Sequence, residues 1–125
     1  MNNRPINNEM HSYINRFAKH ILLHRVWNDL TQTDIANIVG ITFQQVQKWE
    51  KAKNRITADQ LYHLFDKMSW NIAALDREPE IVLEYFYNRD YVNRSRPEKY
   101  DFIKRKWLKV GTLNATTLTQ TEERI

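Results

Sequence analysis

The spacing of apolar positions predicts a chain of helices. Met10, Ile14, Phe17, Ile21 and Leu22, with Tyr13 and Ala18 alongside, recur at three- and four-residue steps from Glu9 onward, the period of one helix face. This helix is expected to stop near Asn28-Asp29, residue types that tolerate left-handed backbone. Thr31 reads as the N-cap of a second helix, because Asp34 stands at capping-box spacing. That helix runs from Gln32 to Val39 and stops at Gly40. Thr42, with Gln45 three residues on, opens a third helix from Phe43 to about Lys51. Thr57 and Gln60 repeat the pattern, and Leu61, Leu64, Phe65 and Met68 form the apolar stripe of a fourth helix. A fifth short element is placed over Trp70 to Leu75.

Beyond Pro79 the pattern is less decisive. Ile81 to Tyr87 is β-branched and aromatic, and period alone does not separate helix from strand there. Helix is expected, because a lone strand would have no partner. Ser95 with Glu98 forms a further capping box, and Pro97 is tolerated in a first turn. Tyr100, Ile103, Trp107 and Val110 then mark one face of a last helix. The Thr-rich stretch from Gly111 has no period and is expected to be disordered. The organisation expected is all-α: a flexible arm at 1–8, a helix-turn-helix domain of about five helices at 9–75, a helical extension at 79–110 assigned to dimerisation, and a tail at 111–125.

Composition narrows the function classes. A length of 125 residues, 42% hydrophobic and 27% charged, suits one modest core. No apolar run approaches membrane-spanning length and the start lacks a signal-peptide core, so a cytoplasmic location is expected. The absence of cysteine excludes disulfide scaffolds, cysteine metal knuckles and thiol catalysis. Two glycines, Gly40 and Gly111, exclude a glycine-rich phosphate loop. The net charge of +4 is unevenly spread. Residues 43–55 hold four bases and one acid, 56–90 three bases and seven acids, and 94–109 seven bases and two acids. Basic segments attract polyanions, of which nucleic acid is the commonest.

Residues 31–50, TQTDIANIVGITFQQVQKWE, carry the most information. Two short helices, each with its own cap and joined through a glycine turn, make a helix-turn-helix. Ile35, Ala36, Ile38, Ile41 and Val46 are expected to face inward, leaving Phe43, Gln44, Gln47 and Lys48 on the outer face of the second helix. On Thr31-Gln32, Ile35-Ala36, Gly40, Thr42, Gln44, Val46 and Glu50 the segment resembles the phage lambda repressor and Cro type of helix-turn-helix, the XRE family of bacterial and phage regulators. The resemblance covers about residues 9–75. It implies a lambda repressor-like fold, double-stranded DNA as partner, and a structural ion pair between Arg25 and Glu50. Two positions depart from the family: Ala52 and Asp29 stand where glycine is frequent. A left-handed non-glycine costs about 1 kcal/mol, so a reshaped or strained loop is expected at Ala52.

The residue types suit the implied chemistry. The major groove admits one α-helix, and glutamine's paired donor and acceptor match adenine there. Lysine can donate to guanine, and an apolar ring can touch a thymine methyl. Phe43, Gln44, Gln47 and Lys48 are therefore the base-reading candidates. Gln32, at a helix N-terminus that favours phosphate, joins Thr42, Lys53, Asn54 and Arg55 as phosphate candidates. The resemblance also implies that Gln32 buttresses Gln44. Repression at an operator, as a homodimer on two half-sites, is the default function that the family suggests. Alternatives are an antitoxin that binds DNA and a toxin partner, and a protein-interaction module whose helix-turn-helix no longer reads DNA.

Other signals point nowhere specific. His20 and His24 are four apart, but no third metal ligand is evident, so they are read as a solvated helix face. No Ser-His-Asp set can be placed, and Glu80 and Glu84 lack a pocket motif. The aromatic cluster Tyr85, Phe86, Tyr87 and Tyr91 reads either as core or as a dimer seam, where such residues are enriched. The extension at 79–110 could also hold a protein partner. The basic face of 99–109 could add phosphate contacts. No cofactor, no metal, no membrane partner and no enzyme activity are expected.

Overall fold

The structure, a computed structural model, describes residues 8–89 and 97–111. Within them lie α1 (Asn8–Trp27), α2 (Gln32–Val39), α3 (Phe43–Glu50), α4 (Ala58–Lys67), a short 3-10 helix (Ile72–Asp76), α5 (Pro79–Arg89) and α6 (Pro97–Trp107). No strand occurs among the described residues, and the ambiguous segment at Ile81 to Tyr87 is helical. The Ser95 cap, Tyr91, residues 1–7 and the tail from 112 lie outside the described residues.

Local chemistry sets the helix ends. Thr31, Thr42 and Thr57 each accept from the backbone amide three residues on, and Asp34, Gln45 and Gln60 reach back to the cap amides. Each reciprocal pair satisfies two amides that a helix start leaves open. The C-termini of α1 to α4 share one device. The amides of Leu30, Ile41, Lys53 and Trp70 each bond the carbonyl five residues back, at 2.8–3.0 Å. This requires a left-handed residue just before each of them, and Asp29, Gly40, Ala52 and Ser69 supply it with φ of 61°, 83°, 61° and 57°. The loop at Ala52 thus keeps the left-handed geometry instead of being reshaped.

Two cores share α1. Ile21 packs with Ile35, Ala36, Val46, Trp49, Leu61, Leu64, Phe65 and Leu75, joining α1 to α2, α3, α4 and the 3-10 helix. Ile38 and Ile41 pack against this core while staying half-buried. Ala18, Leu22, Leu23 and Trp27 pack with Val82, Leu83, Ile103, Trp107 and Val110, joining α1 to α5 and α6. Polar ties reinforce the second seam. Trp107 Nε1 donates to the Lys19 carbonyl at 3.1 Å, Lys99 pairs with Asp29 at 2.8 Å, Lys19 pairs with Glu80 at 3.1 Å, and Arg16 pairs with Glu78.

The double coverage of α1 corrects one expectation. His20 and His24 do not face solvent; they are 0% and 2% exposed. A solvated face presumed that α1 has one buried side, whereas the 3-10 helix and α5 close over the other. Among the cluster residues, Phe86 and Tyr87 are half-buried against the second core and Tyr85 is exposed.

Candidate nucleic-acid interface

Helix α3 is anchored by one face and open on the other. Val46, Trp49 and Glu50 are buried. Phe43 is 42% exposed, Gln44 and Lys48 are exposed, and Gln47 is half-buried. Thr42 is exposed, but its hydroxyl is occupied as acceptor of the Gln45 amide at 3.2 Å. Lys53, Asn54 and Arg55 are exposed in the turn that follows, and the Lys53 amide closes on the Lys48 carbonyl at 2.8 Å.

A charged knot fixes α3 from behind. Arg25 Nε donates to Glu50 Oε2 at 2.5 Å, and a second guanidinium nitrogen donates to Glu50 Oε1 at 2.9 Å. The third nitrogen donates to the Leu30 carbonyl at 2.9 Å, one residue before the α2 cap. Gln32 Nε2 completes the knot with a 3.0 Å bond to Glu50 Oε1. One planar cation therefore ties α1, the start of α2 and the end of α3 together, a geometry that lysine does not offer. Glu50 is the single acid in 43–55, and this knot both buries and neutralises it. The exposed charges of that stretch, Lys48, Lys51, Lys53 and Arg55, are all positive.

The Gln32 side chain is thus held on Glu50. A glutamine at the first position of a short helix gave no sign that it reaches a buried carboxylate on another helix. The burial of His20 and His24 was equally hidden, because it depends on segments more than fifty residues away in sequence.

A family model described as helix-turn-helix matches residues 22–66. An uncharacterized HTH-type transcriptional regulator of Sinorhizobium fredii, y4aM, is 36% identical over 109 residues, which is 78% of this chain and 74% of that protein. The chain belongs to the XRE-type helix-turn-helix family of transcriptional regulators. A second regulator of this kind from the same organism, y4wC, is 36% identical over 82 residues, 66% of this chain and 49% of that protein. A transcriptional regulator in the ATPase CF(0) region of Rhodospirillum rubrum is 28% identical over 78 residues, 62% of this chain and 60% of that protein. The chain thus spans about half the length of one of these relatives and three quarters of another. No solved structure gives a significant match.

Family membership and geometry agree on architecture: the described residues are all-helical, in keeping with a lambda repressor-like fold, and the matched segment 22–66 contains α2 and α3, the helix-turn-helix. The named relatives are transcriptional regulators, a non-enzymatic class. Among the described residues no helix is long and apolar enough to cross a membrane, and no group of three histidines or acids could hold a metal.

Proposed function

We propose that the chain is a sequence-specific regulator that reads double-stranded DNA with α3, as a homodimer on two symmetric half-sites, and represses by occupying its operator. One observation carries the reading. The open face of α3 combines amide, ammonium and aromatic groups with no exposed acid, on a helix whose other face is locked in the core. A rigid helix with that chemistry suits the major groove, where base edges are distinguishable. In this reading Phe43, Gln44, Gln47 and Lys48 meet bases. Gln32, Thr42, Lys53, Asn54 and Arg55 meet phosphates, which set register.

The test is selection of bound fragments from genomic DNA at ~150 mM salt, a level that specific binding survives. A shared, two-fold symmetric motif is the expected product. On that motif Gln44→Ala loses roughly 1–3 kcal/mol and relaxes base choice at one position. Lys53→Ala weakens all sequences alike and lowers the salt slope by about 1. Uniform recovery of fragments, or parent-like affinity for Gln44→Ala, would refute the assignment.

A further inference from the structure

Helix α1, the turn after α4, the 3-10 helix and helix α5 line an open cavity of about 590 Å³ that α3 does not line. Its walls are aromatic: Trp27, Trp70, Tyr85 and Phe86 all line it. His24 lines it as well, with its ring centroid 5.4 Å from those of both Trp70 and Phe86. His24 Nε2 is buried and has no hydrogen-bond partner among the described residues. Burial holds the His24 imidazole neutral.

Among the described residues, one charged side chain lines this cavity, that of Arg77. Arg77 is exposed and makes no ion pair among the described residues. Of the neighbouring acids, Glu78 pairs with Arg16 and Glu80 with Lys19, while Asp76 is exposed and does not line the cavity. A guanidinium without a carboxylate, beside stacked aromatic walls, matches a planar ring that bears an acid group. The volume falls in the range of small-molecule sites.

We propose that this cavity binds a small planar aromatic carboxylate, its ring among Trp27, Trp70 and Phe86 and its carboxylate on Arg77. The site stands whether or not α3 reads DNA. It makes the protein a sensor of an aromatic acid as well as a regulator.

The experiment uses the full chain labelled with nitrogen-15 and follows the indole N–H signals, assigned through Trp→Phe variants. Benzoate and cinnamate are the probes, with benzamide and cinnamamide as uncharged counterparts. The expected result is saturable shifts at Trp27 and Trp70 on adding either acid, with Trp49 and Trp107 unmoved. Arg77→Gln, at an exposed position, weakens the acids about fivefold or more and leaves the amides unchanged. Absence of any shift at ~10 mM probe, a concentration that detects even millimolar binding, would overturn the proposal. Equal binding of acids and amides, unmoved by Arg77→Gln, would overturn the carboxylate assignment. Probe-free shifts that track protein concentration, with dimers in sedimentation, would hand the cavity to a second copy instead.

Discussion

Lowering the pH from 7.5 to 5 should destabilise this protein through two buried histidines. His24 is buried beside Phe65, Trp70 and Phe86, and desolvation, with His20 adding repulsion, lowers its pKa to about 3. In the unfolded chain a histidine titrates near 6.5. Between those values the unfolded state binds a proton that the folded state refuses, so stability falls as pH drops. Each pH unit below ~6.5 costs about 1.4 kcal/mol per group, hence about 2 kcal/mol by pH 5 from His24. His20 adds to this in the same direction. Desolvation lowers its pKa, although its Nε2–H donates to the Arg77 carbonyl at 2.8 Å and offsets part of the effect. That bond also fixes the tautomer, leaving Nδ1 as a buried acceptor without a partner. Carboxylates titrate below this window, so the histidines dominate it. A loss of about 2 kcal/mol is a large share of the roughly 5–15 kcal/mol typical of a domain. Urea unfolding followed by circular dichroism at pH 7.5, 6 and 5 measures it, and His24→Phe should flatten the profile. Equal stability at pH 7.5 and 5, or an unchanged profile in His24→Phe, would refute the reasoning.

Two further perturbations test the frame around α3 and the turn after α6. Arg25→Ala removes three hydrogen bonds and leaves the 3%-exposed Glu50 carboxylate without its cation. The expected loss is about 3–5 kcal/mol, largely recovered when Glu50 is also made apolar; urea unfolding of the single and double variants checks both. Gly111→Ala places a Cβ 2.3 Å from Asn15 Oδ1 at a residue with φ of 73°. It should cost roughly 1–2 kcal/mol from backbone strain alone, and a thermal melt unchanged from the parent would count against it.

The local half of this fold was legible because its signals lie within a few residues. Thr31-Asp34, Thr42-Gln45 and Thr57-Gln60 each announce a helix start that needs no tertiary help. The period of Leu61, Leu64 and Phe65 gives the buried face of α4 directly. What depends on distant packing was not legible. His20 and His24 look solvent-ready until the 3-10 helix and α5 cover α1. Gln32 was expected to meet phosphate and to buttress Gln44, yet its side chain completes the knot on Glu50. The open face of α3 was readable because exposure there is the complement of a strongly periodic buried face.

The two departures from family glycine have a common physical cause in the C-terminal helices. Asp29 and Ala52 are both left-handed and both touch the second seam. The Asp29 carboxylate holds Lys99 of α6 at 2.8 Å, and Ala52 packs against the second core. The Gly111 amide also bonds the Lys51 carbonyl beside Ala52, at 3.2 Å. Gly40, in the corresponding position after α2, has nothing within 4 Å of where a Cβ would stand. A side chain there would incur strain and gain no contact, so glycine is the favoured residue. At Asp29 the strain of about 1 kcal/mol is set against a contact that the extension provides, and at Ala52 against packing on the second core; nothing in the structure explains Ser69 in the same way. The trade-off is measurable with a double-mutant cycle. Asp29→Gly should change stability little in the parent, because relief of strain and loss of the Lys99 pair, worth about 0.2–1 kcal/mol at so exposed a carboxylate, nearly cancel. In a Lys99→Ala background only the relief remains, and Asp29→Gly should stabilise by about 1 kcal/mol. If the substitution has the same effect in both backgrounds, the aspartate is not kept by the extension, and the left-handed turn at α1 owes nothing to α6.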